Sequence, residues 1–461
     1  MTRTIRDPEA VLAGGLAAIR AQFQVPGNFP PAVLATAEAA AVRTPDRHVD
    51  RTDRRFVTLD PAASTDLDQA FAIERSGGDL LLHYAIADID WFVEDGDPVD
   101  AEAWRRGATL YLPDGKASLY PPALSERAAS LLPDGPRPAV IFAIRVAGDG
   151  SAHLDSAERG LIRSRAKLAY ATAREADLPE AFAELAERVK AAELRRGAGR
   201  VDPPEQEVVR EDGHYRLLFR ERTAAEDRNA ALSLAANLAI AEALHAHGTG
   251  LFRVMSPPDD RAVRRLRFTA EALGLSWPAG QPLAAFEHGL DPADSKQAAF
   301  MTAIRRAGTG AAYMPYRAGV VPWHAALAAT YVHATAPLRR LADRYVIRAA
   351  LAIAGGRPVP DAATEAFARL PEVMARADAR SAQIERAVID LAEAVMLESR
   401  VGETFEAVVT DLDERGARIQ LCALPVVARV EAHKVDPGDM VRVKLIAAEP
   451  ETRRIAFQRI A

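Results

Sequence analysis

Thr58-Leu59-Asp60-Pro61-Ala62-Ala63-Ser64-Thr65-Asp66-Leu67-Asp68-Gln69-Ala70 is the most informative stretch of the chain. Phe56 to Leu59 reads as a short strand, and Asp60 to Gln69 as a loop rich in Asp, Ser and Ala. Three carboxylates, Asp60, Asp66 and Asp68, therefore converge just after a strand. In an extended segment Asp66 and Asp68 project to the same side. Like charges held so close repel, and a cation is a natural way to hold them together. Hard oxygen ligands suit Mg²⁺, with Mn²⁺ as the alternative. A solvated Asp-rich turn is the bland reading of the same residues. A calcium loop of the EF-hand kind lacks its ligand positions and its glycine here.

A second segment, Tyr331-Val332-His333-Ala334-Thr335-Ala336-Pro337-Leu338-Arg339-Arg340-Leu341-Ala342-Asp343-Arg344, carries a complementary pattern. Thr335-Ala336-Pro337 can open a helix with proline in its first turn, which puts Arg339 within that turn. Backbone N–H groups and a guanidinium there make a phosphate site. An ordinary surface helix with salt bridges is the alternative.

Outward from these segments the chain reads as α+β. Ala70–Ile73 and Leu80–Ile86 pattern as strands joined by a turn at Ser76-Gly77-Gly78, and Val140–Val146 as another. Helical spacing dominates Leu178–Arg195, Asp227–His247, Leu338–Ala354 and a long stretch from Glu372 to Glu398. The N-terminal part reads as small, helical and separate. Asp7-Pro8-Glu9 is a helix start, Leu12, Leu16, Ile19 and Phe23 share a helical face, and a second helix runs from Pro31 to Val42. This unit reads equally as helix-turn-helix-like or as plain packing. Beyond Val401 come short strands at Glu406–Asp411, Ala417–Leu421, Val426–Val430, Val441–Ile446 and Ile455–Gln458, the pattern of a five-stranded OB barrel. The expected division is 1–52, 53–398 and 399–461.

Composition narrows the function. One cysteine, Cys422, rules out a disulfide framework and a cysteine-based zinc site, and fits a reducing cytoplasm. The first ten residues carry Asp7 and Glu9 and do not read as a signal peptide, and no stretch offers the roughly 20 apolar residues of a membrane span. A cytoplasmic location with no membrane and no evident protein partner is expected. The net charge of −6 places any nucleic-acid affinity in a local channel or groove. His245 and His247 read as structural, and His333 as a core or site-lining residue.

The two quoted segments together resemble the RNB catalytic domain of the ribonuclease II / ribonuclease R family. The first matches its strand and aspartate loop, T-I-D-x-x-x-x-x-D-x-D-D, and the second its T-S-P-I-R-R/K-Y-x-D segment. Further matches lie between them in order: His83-Tyr84-Ala85-Ile86-Ala87-Asp88, Leu110-Tyr111-Leu112-Pro113, Pro122-Ala123-Leu124-Ser125, Ser164 to Tyr170, and Pro204-Glu205. The resemblance runs from about Arg55 to Glu398, and the C-terminal barrel is similar to the S-one-type domain that follows it.

The resemblance implies hydrolysis of single-stranded RNA, processively from 3′ to 5′, to nucleoside 5′-monophosphates. It implies Asp60, Asp66, Asp68 and Gln69 as the metal-binding set, Asp68, Arg339 and Glu385 as catalytic residues, and Tyr111, Tyr170 and Arg340 as RNA-binding. Gln69 stands where the family has a fourth aspartate, Ala336 where it has serine, Ala230 beside Asn229 where it has a glutamate, and Val201 where it has a base-stacking phenylalanine. The first 50 residues are too few and too helical for the family's N-terminal cold-shock barrels. A non-catalytic RNA-binding protein on an RNB scaffold is the alternative, and a phosphodiesterase of short oligonucleotides or DNA another. RNA affinity in the barrel would come from a local groove and stacking, with only Phe405 and Phe457 to supply aromatic faces.

Overall fold

The computed structural model describes residues 2–5, 11–199, 201–203, 205–211, 214–220, 222–292, 294–413, 416–431 and 434–460. The helix start at Asp7-Pro8-Glu9, and Pro204, lie outside them. A seven-stranded sheet forms the body, in the order Ser164–Ala169, Phe56–Asp60, Gln69–Ser76, Asp79–Ala87, Arg137–Val146, Ala152–Ile162, Val49–Asp50. The two outermost pairings are parallel and the rest antiparallel. The Gln69–Ser76 and Asp79–Ala87 strands form the expected hairpin, with Gly77 at φ +62° supplying the left-handed turn. Asp79–Ala87 is apolar along nearly its whole length because both its faces are covered. Helix Ala224–Ala246 packs on the sheet and starts at Thr223, whose hydroxyl accepts from Glu226 N while the Glu226 carboxylate accepts from Thr223 N.

The helix expected at Thr335 starts later, at Leu341, so Arg339 lies in the turn before it. Asp343 of the helix itself and Asp68 from the aspartate loop claim the N–H groups that a helix's first turn would leave to solvent or a ligand. Asp343 accepts from Thr335 N at 3.0 Å and Ala336 N at 2.8 Å, and Asp68 accepts from Leu338 N at 2.7 Å. Leu341 N donates to Gly107 O, which ties the helix start to a neighbouring loop.

Arg344, one turn into that helix, is fully buried. Its guanidinium donates to Asp90 at 2.9 Å, Asp100 at 2.7 Å, Asp95 at 3.2 Å and Val93 O at 2.9 Å. This network pins the Arg339 turn to the segment that follows the central hairpin.

The long helix spans Asp361–Leu397, eleven residues earlier than the Glu372 expected, and passes through Pro371. Proline in a helix interior costs about 3 kcal/mol. Phe367, Leu370 and Met374 around it are buried in the main core, and that burial outweighs the lost hydrogen bond.

The two N-terminal helices pack on different neighbours, in line with the packing alternative for these residues. Leu12, Leu16 and Ile19 of helix Val11–Gln22 pack against Ile384, Val388 and Leu391 of the long helix. Val33, Ala37 and Ala40 of helix Pro31–Ala41 enter the main core instead. Each helix has one narrow apolar stripe, and a larger surface than its neighbour was available to cover it.

The C-terminal strands are Thr404–Asp413, Gly416–Leu421, Val427–Val430, Met440–Glu449 and Arg454–Arg459, in the sheet order third, second, first, fourth, fifth. The outer two approach each other, so the sheet is a nearly closed OB-like barrel with its own core. Buried Glu393 of the long helix joins barrel to body: its carboxylate accepts from Val427 N at 2.9 Å and from Gln206 Nε2 at 2.6 Å.

Arg344→Met is expected to destabilise the protein by roughly 3 kcal/mol, toward the lower end for a broken buried pair because Arg348 and Arg159 still hold Asp90. A lowered denaturant midpoint at unchanged slope is the expected readout. An unchanged midpoint would mean that the network does not anchor the turn.

Candidate active site

Asp60 ends its strand, and Asp68 immediately precedes the Gln69–Ser76 strand, so both are fixed by the sheet. Burial pushes Asp60 up to about 7, and the nearby charge of Asp68 adds to the rise. Its Oδ2 is buried with no hydrogen-bond partner. Burial also pushes Asp68 up to about 7, against the pull of Arg339 and of Leu338 N. Besides its bond from Leu338 N, Asp68 accepts from Arg339 Nε at 3.2 Å.

Asp66 lies on the same loop and faces a lysine. Lys116 Nζ is 2.8 Å from Asp66 Oδ1 and 3.0 Å from Glu126 Oε1. The Tyr111 hydroxyl is 3.5 Å from Asp66 Oδ2. Tyr111 and Lys116 are cross-strand partners on the hairpin Leu110–Leu112 and Gly115–Ala117. Arg20 of the first helix holds the hairpin's turn through Asp114, at 2.7 Å. Sequence reasoning missed Lys116. The Asp114-Gly115 pair is a hairpin signal, and folding the turn on paper sets residue 116 beside Tyr111.

Gln69 lines the same site, with its Oε1 accepting from the Tyr84 hydroxyl at 2.5 Å. Asn229 Nδ2 donates to the Tyr170 hydroxyl at 3.0 Å, and Tyr170 N donates to Asp60 O at 3.2 Å. The Asn229 Oδ1 is buried without a partner. Among the described residues, no three carboxylate, histidine or cysteine side chains are gathered tightly enough to hold one ion between them. Lys116 draws Asp66 to one side, and Arg339 and Leu338 N hold Asp68 on the other.

These groups line a cleft of 1760 Å³. Tyr111, Tyr170 and Arg339 open onto it with the aspartates, and Lys190, Lys296 and, from the barrel, Gln420 and Met440 line it too. Two of the expected site residues lie elsewhere. Glu385 sits on an exposed flank of the long helix, where its charged neighbours are Glu205, Arg305 and Glu207 and none of the aspartates. Arg340 is held by Asp343, with Nη2 2.8 Å from Oδ2, and does not line the cleft. Val201 packs on a satellite core with Leu266 and Phe300. His333 bonds to the Tyr313 hydroxyl through Nδ1 at 2.9 Å, inside the body.

The RNB domain family matches residues 48–354, and the RNase II-type exonuclease C-terminal S1 domain matches residues 403–460. Ribonuclease R of Aquifex aeolicus (strain VF5) is 27% identical, over 95% of this chain and 69% of its own length. The chain spans 53% to 69% of the length of three such ribonuclease R relatives. Mycoplasma genitalium RNase R, in complex with ribose-methylated single-stranded RNA, superposes with a TM-score of 0.87 at 19% identity, over 99% of this chain and 79% of its own. Yeast Ssd1, described as a pseudonuclease, has the same fold at a TM-score of 0.69 and 16% identity, over 97% of this chain and 58% of its own. With the RNB domain covering more than half of its residues, this chain belongs to the RNB family, the ribonuclease II / ribonuclease R group, and carries that group's C-terminal S1 domain.

Proposed function

We propose that this protein is a hydrolytic 3′→5′ exoribonuclease that degrades single-stranded RNA, processively, to nucleoside 5′-monophosphates. The observation that carries the reading is Asp60 and Asp68 beside Arg339, lining an open cleft together with Asp66. Its RNB membership and its ribonuclease R relatives support it. No helix among the described residues is long and apolar enough to cross a membrane, and the proposed place of action is the cytoplasm.

The donor set suits a hard divalent cation, Mg²⁺ or Mn²⁺. It is all oxygen, its carboxylates repel one another, and Asp60 Oδ2 and Asn229 Oδ1 are buried without partners. Asp60, Asp66 and Asp68 would hold the metal, with the Gln69 amide oxygen as a neutral neighbour. The bound cation supplies Lewis-acid activation of water and neutralises charge on the phosphodiester.

The chain's own groups do the rest. Arg339 stands 3.2 Å from Asp68 with its guanidinium half exposed to the cleft, where it can meet a phosphate oxygen as charge builds. Tyr111 and Tyr170 present ring faces and hydroxyls to the terminal nucleotides. The proposal leaves out Glu385, whose charged neighbours are Glu205, Arg305 and Glu207, and Arg340, which is bonded to Asp343.

One set of contacts favours a second reading, a non-catalytic RNA-binding protein on this scaffold. Lys116 already pairs with Asp66, Arg339 already pairs with Asp68, and Gln69 brings no charge. The decisive experiment is incubation of 5′-labelled RNA with Mg²⁺ or Mn²⁺, with chelator and DNA controls. A shrinking ladder from the 3′ end, lost with chelator and weak on DNA, is expected. Asp68→Asn should lower turnover at least about a hundredfold with RNA affinity kept or raised. Equal turnover in wild type and Asp68→Asn would put the chemistry elsewhere, and an inactive wild type rescued by Gln69→Asp would establish the second reading.

Lys116→Met should raise the affinity for Mn²⁺, measured calorimetrically, because it removes a cation from beside Asp66. A lowered affinity would mean that Lys116 holds Asp66 in its working position.

A further inference from the structure

Gln69 opens its strand directly across from Ile86, and Tyr84 lies two residues along that partner strand on the same face. Tyr84 is fully buried, whereas Gln69 is 9% exposed and lines the cleft. The two ends of the Gln69 amide therefore have different surroundings. One end meets the Tyr84 hydroxyl, at 2.5 Å. The other meets no partner among the described residues and faces the cleft that Asp68, its neighbour in the chain, also lines. A polar group so nearly buried and left unpaired is costly unless a ligand completes it.

Which end faces the cleft follows from a row of hydrogen bonds that starts at a backbone N–H. Ala334 N donates to Asn237 Oδ1 at 2.9 Å. A peptide N–H can only donate, so the Asn237 amide is fixed with its oxygen there and its NH2 on the other side. That NH2 lies 3.3 Å from the Tyr331 hydroxyl and 3.5 Å from both Ser233 Oγ and Thr335 Oγ1, which are 3.1 Å apart. These hydroxyls accordingly accept from the Asn237 side and send their own hydrogens onward. Ser233 hydrogen-bonds the Tyr84 hydroxyl, and Tyr84 passes its hydrogen to Gln69 Oε1. In the reverse sense the hydroxyl hydrogens would run back to the Asn237 NH2 and set donor against donor. The row thus turns the Gln69 oxygen to Tyr84 and leaves the NH2 to the cleft.

A carboxamide oxygen can bind a hard cation, but an amide NH2 offers only hydrogens and cannot. What such a group can meet in a cleft is an acceptor oxygen. Asp68 next to it is already taken up by Leu338 N and Arg339. The acceptors that the proposed substrate brings are phosphate oxygens. A hydrogen bond to one of them is charge-assisted, and Gln69 adds it without adding charge to the site. Its donor is held in place before substrate arrives, by a strand and by a buried tyrosine.

We propose that Gln69 is not a metal ligand but donates a hydrogen bond from its NH2 to a non-bridging oxygen of the terminal phosphodiester, with Tyr84 as the positioning residue that holds the amide in that sense. The proposal rests on the exoribonuclease reading above. It leaves Asp60, Asp66 and Asp68 as the cation's protein ligands and gives Gln69 to the substrate.

The test uses the full chain in chelator, with anisotropy of a short labelled oligouridylate and of the same oligomer carrying a methylphosphonate at its last linkage. Gln69→Met keeps the length and removes the donor, and should weaken the normal RNA by about tenfold, the scale of a lost hydrogen bond to a charged group. Gln69→Glu keeps an oxygen for Tyr84 and turns a second one to the cleft, so it should weaken that RNA further. On the methylphosphonate RNA the wild type and Gln69→Met should differ much less, because the charged acceptor is gone. Equal losses on both RNAs would point to a packing defect and overturn the proposal. Tyr84→Phe should cost part of the same affinity, and adding Gln69→Met to it should cost less than in the wild type. Should Tyr84→Phe fail to fold, the two RNAs with Gln69→Met carry the test. Calorimetric Mn²⁺ affinity should be unchanged in Gln69→Met; a tenfold loss there, with RNA binding in chelator intact, would make Gln69 a metal ligand and overturn the proposal. Unchanged RNA binding by Gln69→Met, in a protein whose wild type degrades RNA, would overturn the donor and leave the exoribonuclease reading intact. A wild type that neither binds nor cleaves RNA would overturn both.

Discussion

Asp68 is 5% exposed, and a carboxylate so buried is stable only if something meets its charge. Leu338 N and Arg339 Nε meet it, at 2.7 and 3.2 Å, from a segment about 270 residues further along the chain. This clasp joins the aspartate loop to the turn that carries Arg339. The Thr335–Arg340 segment gives its N–H groups to Asp68 and Asp343 and forms a turn, with the helix starting only at Leu341. Arg339 consequently leaves the turn with its side chain in the cleft, where a helical residue at the same position would project from the helix side. The same arrangement sets the electrostatics. Buried carboxylates raised to about 7 are groups whose charge the protein alone only partly compensates.

The surrounding architecture repeats this logic at lower stakes for chemistry. Arg344 is buried with three aspartates and a carbonyl, and Arg348 and Arg159 add two more cations to Asp90. Such a network gains little net stability over an apolar core of the same shape, but removing one member leaves a charge stranded. Its effect is geometric. It fixes helix Leu341–Ala354, and with it the Arg339 turn, to the segment after the central hairpin. Glu393 does the same for the barrel, a single carboxylate bridging the long helix to Val427 N and Gln206.

These features are unequally legible in the sequence. The hairpin from Gln69 to Ala87 and all five barrel strands can be read, because local alternation and Gly-containing turns specify them. Strands Ala152–Ile162 and Ser164–Ala169 escape such a reading. They lie toward the sheet's margins, and His153, Asp155, Glu158, Arg159, Arg165 and Lys167 obscure the apolar pattern. Pro371 hides the first turns of the long helix, because a local rule applies there and tertiary burial overrides it. At the site, the aspartates and Arg339 are legible because a motif marks them. Glu385 is a different case: its resemblance is confined to a short run on a helix, and its charged neighbours are Glu205, Arg305 and Glu207. Lys116 escapes because nothing in a one-dimensional reading pairs a lysine with a carboxylate fifty positions earlier.

The distribution of charge along the cleft addresses how an acidic protein can hold a polyanion. Asp60, Asp66 and Asp68 repel phosphate, and on the proposed reading Arg339 together with a bound cation would reverse that locally. Lys190 and Lys296 line the same cleft, where they can meet a phosphate backbone that the aspartates alone would turn away.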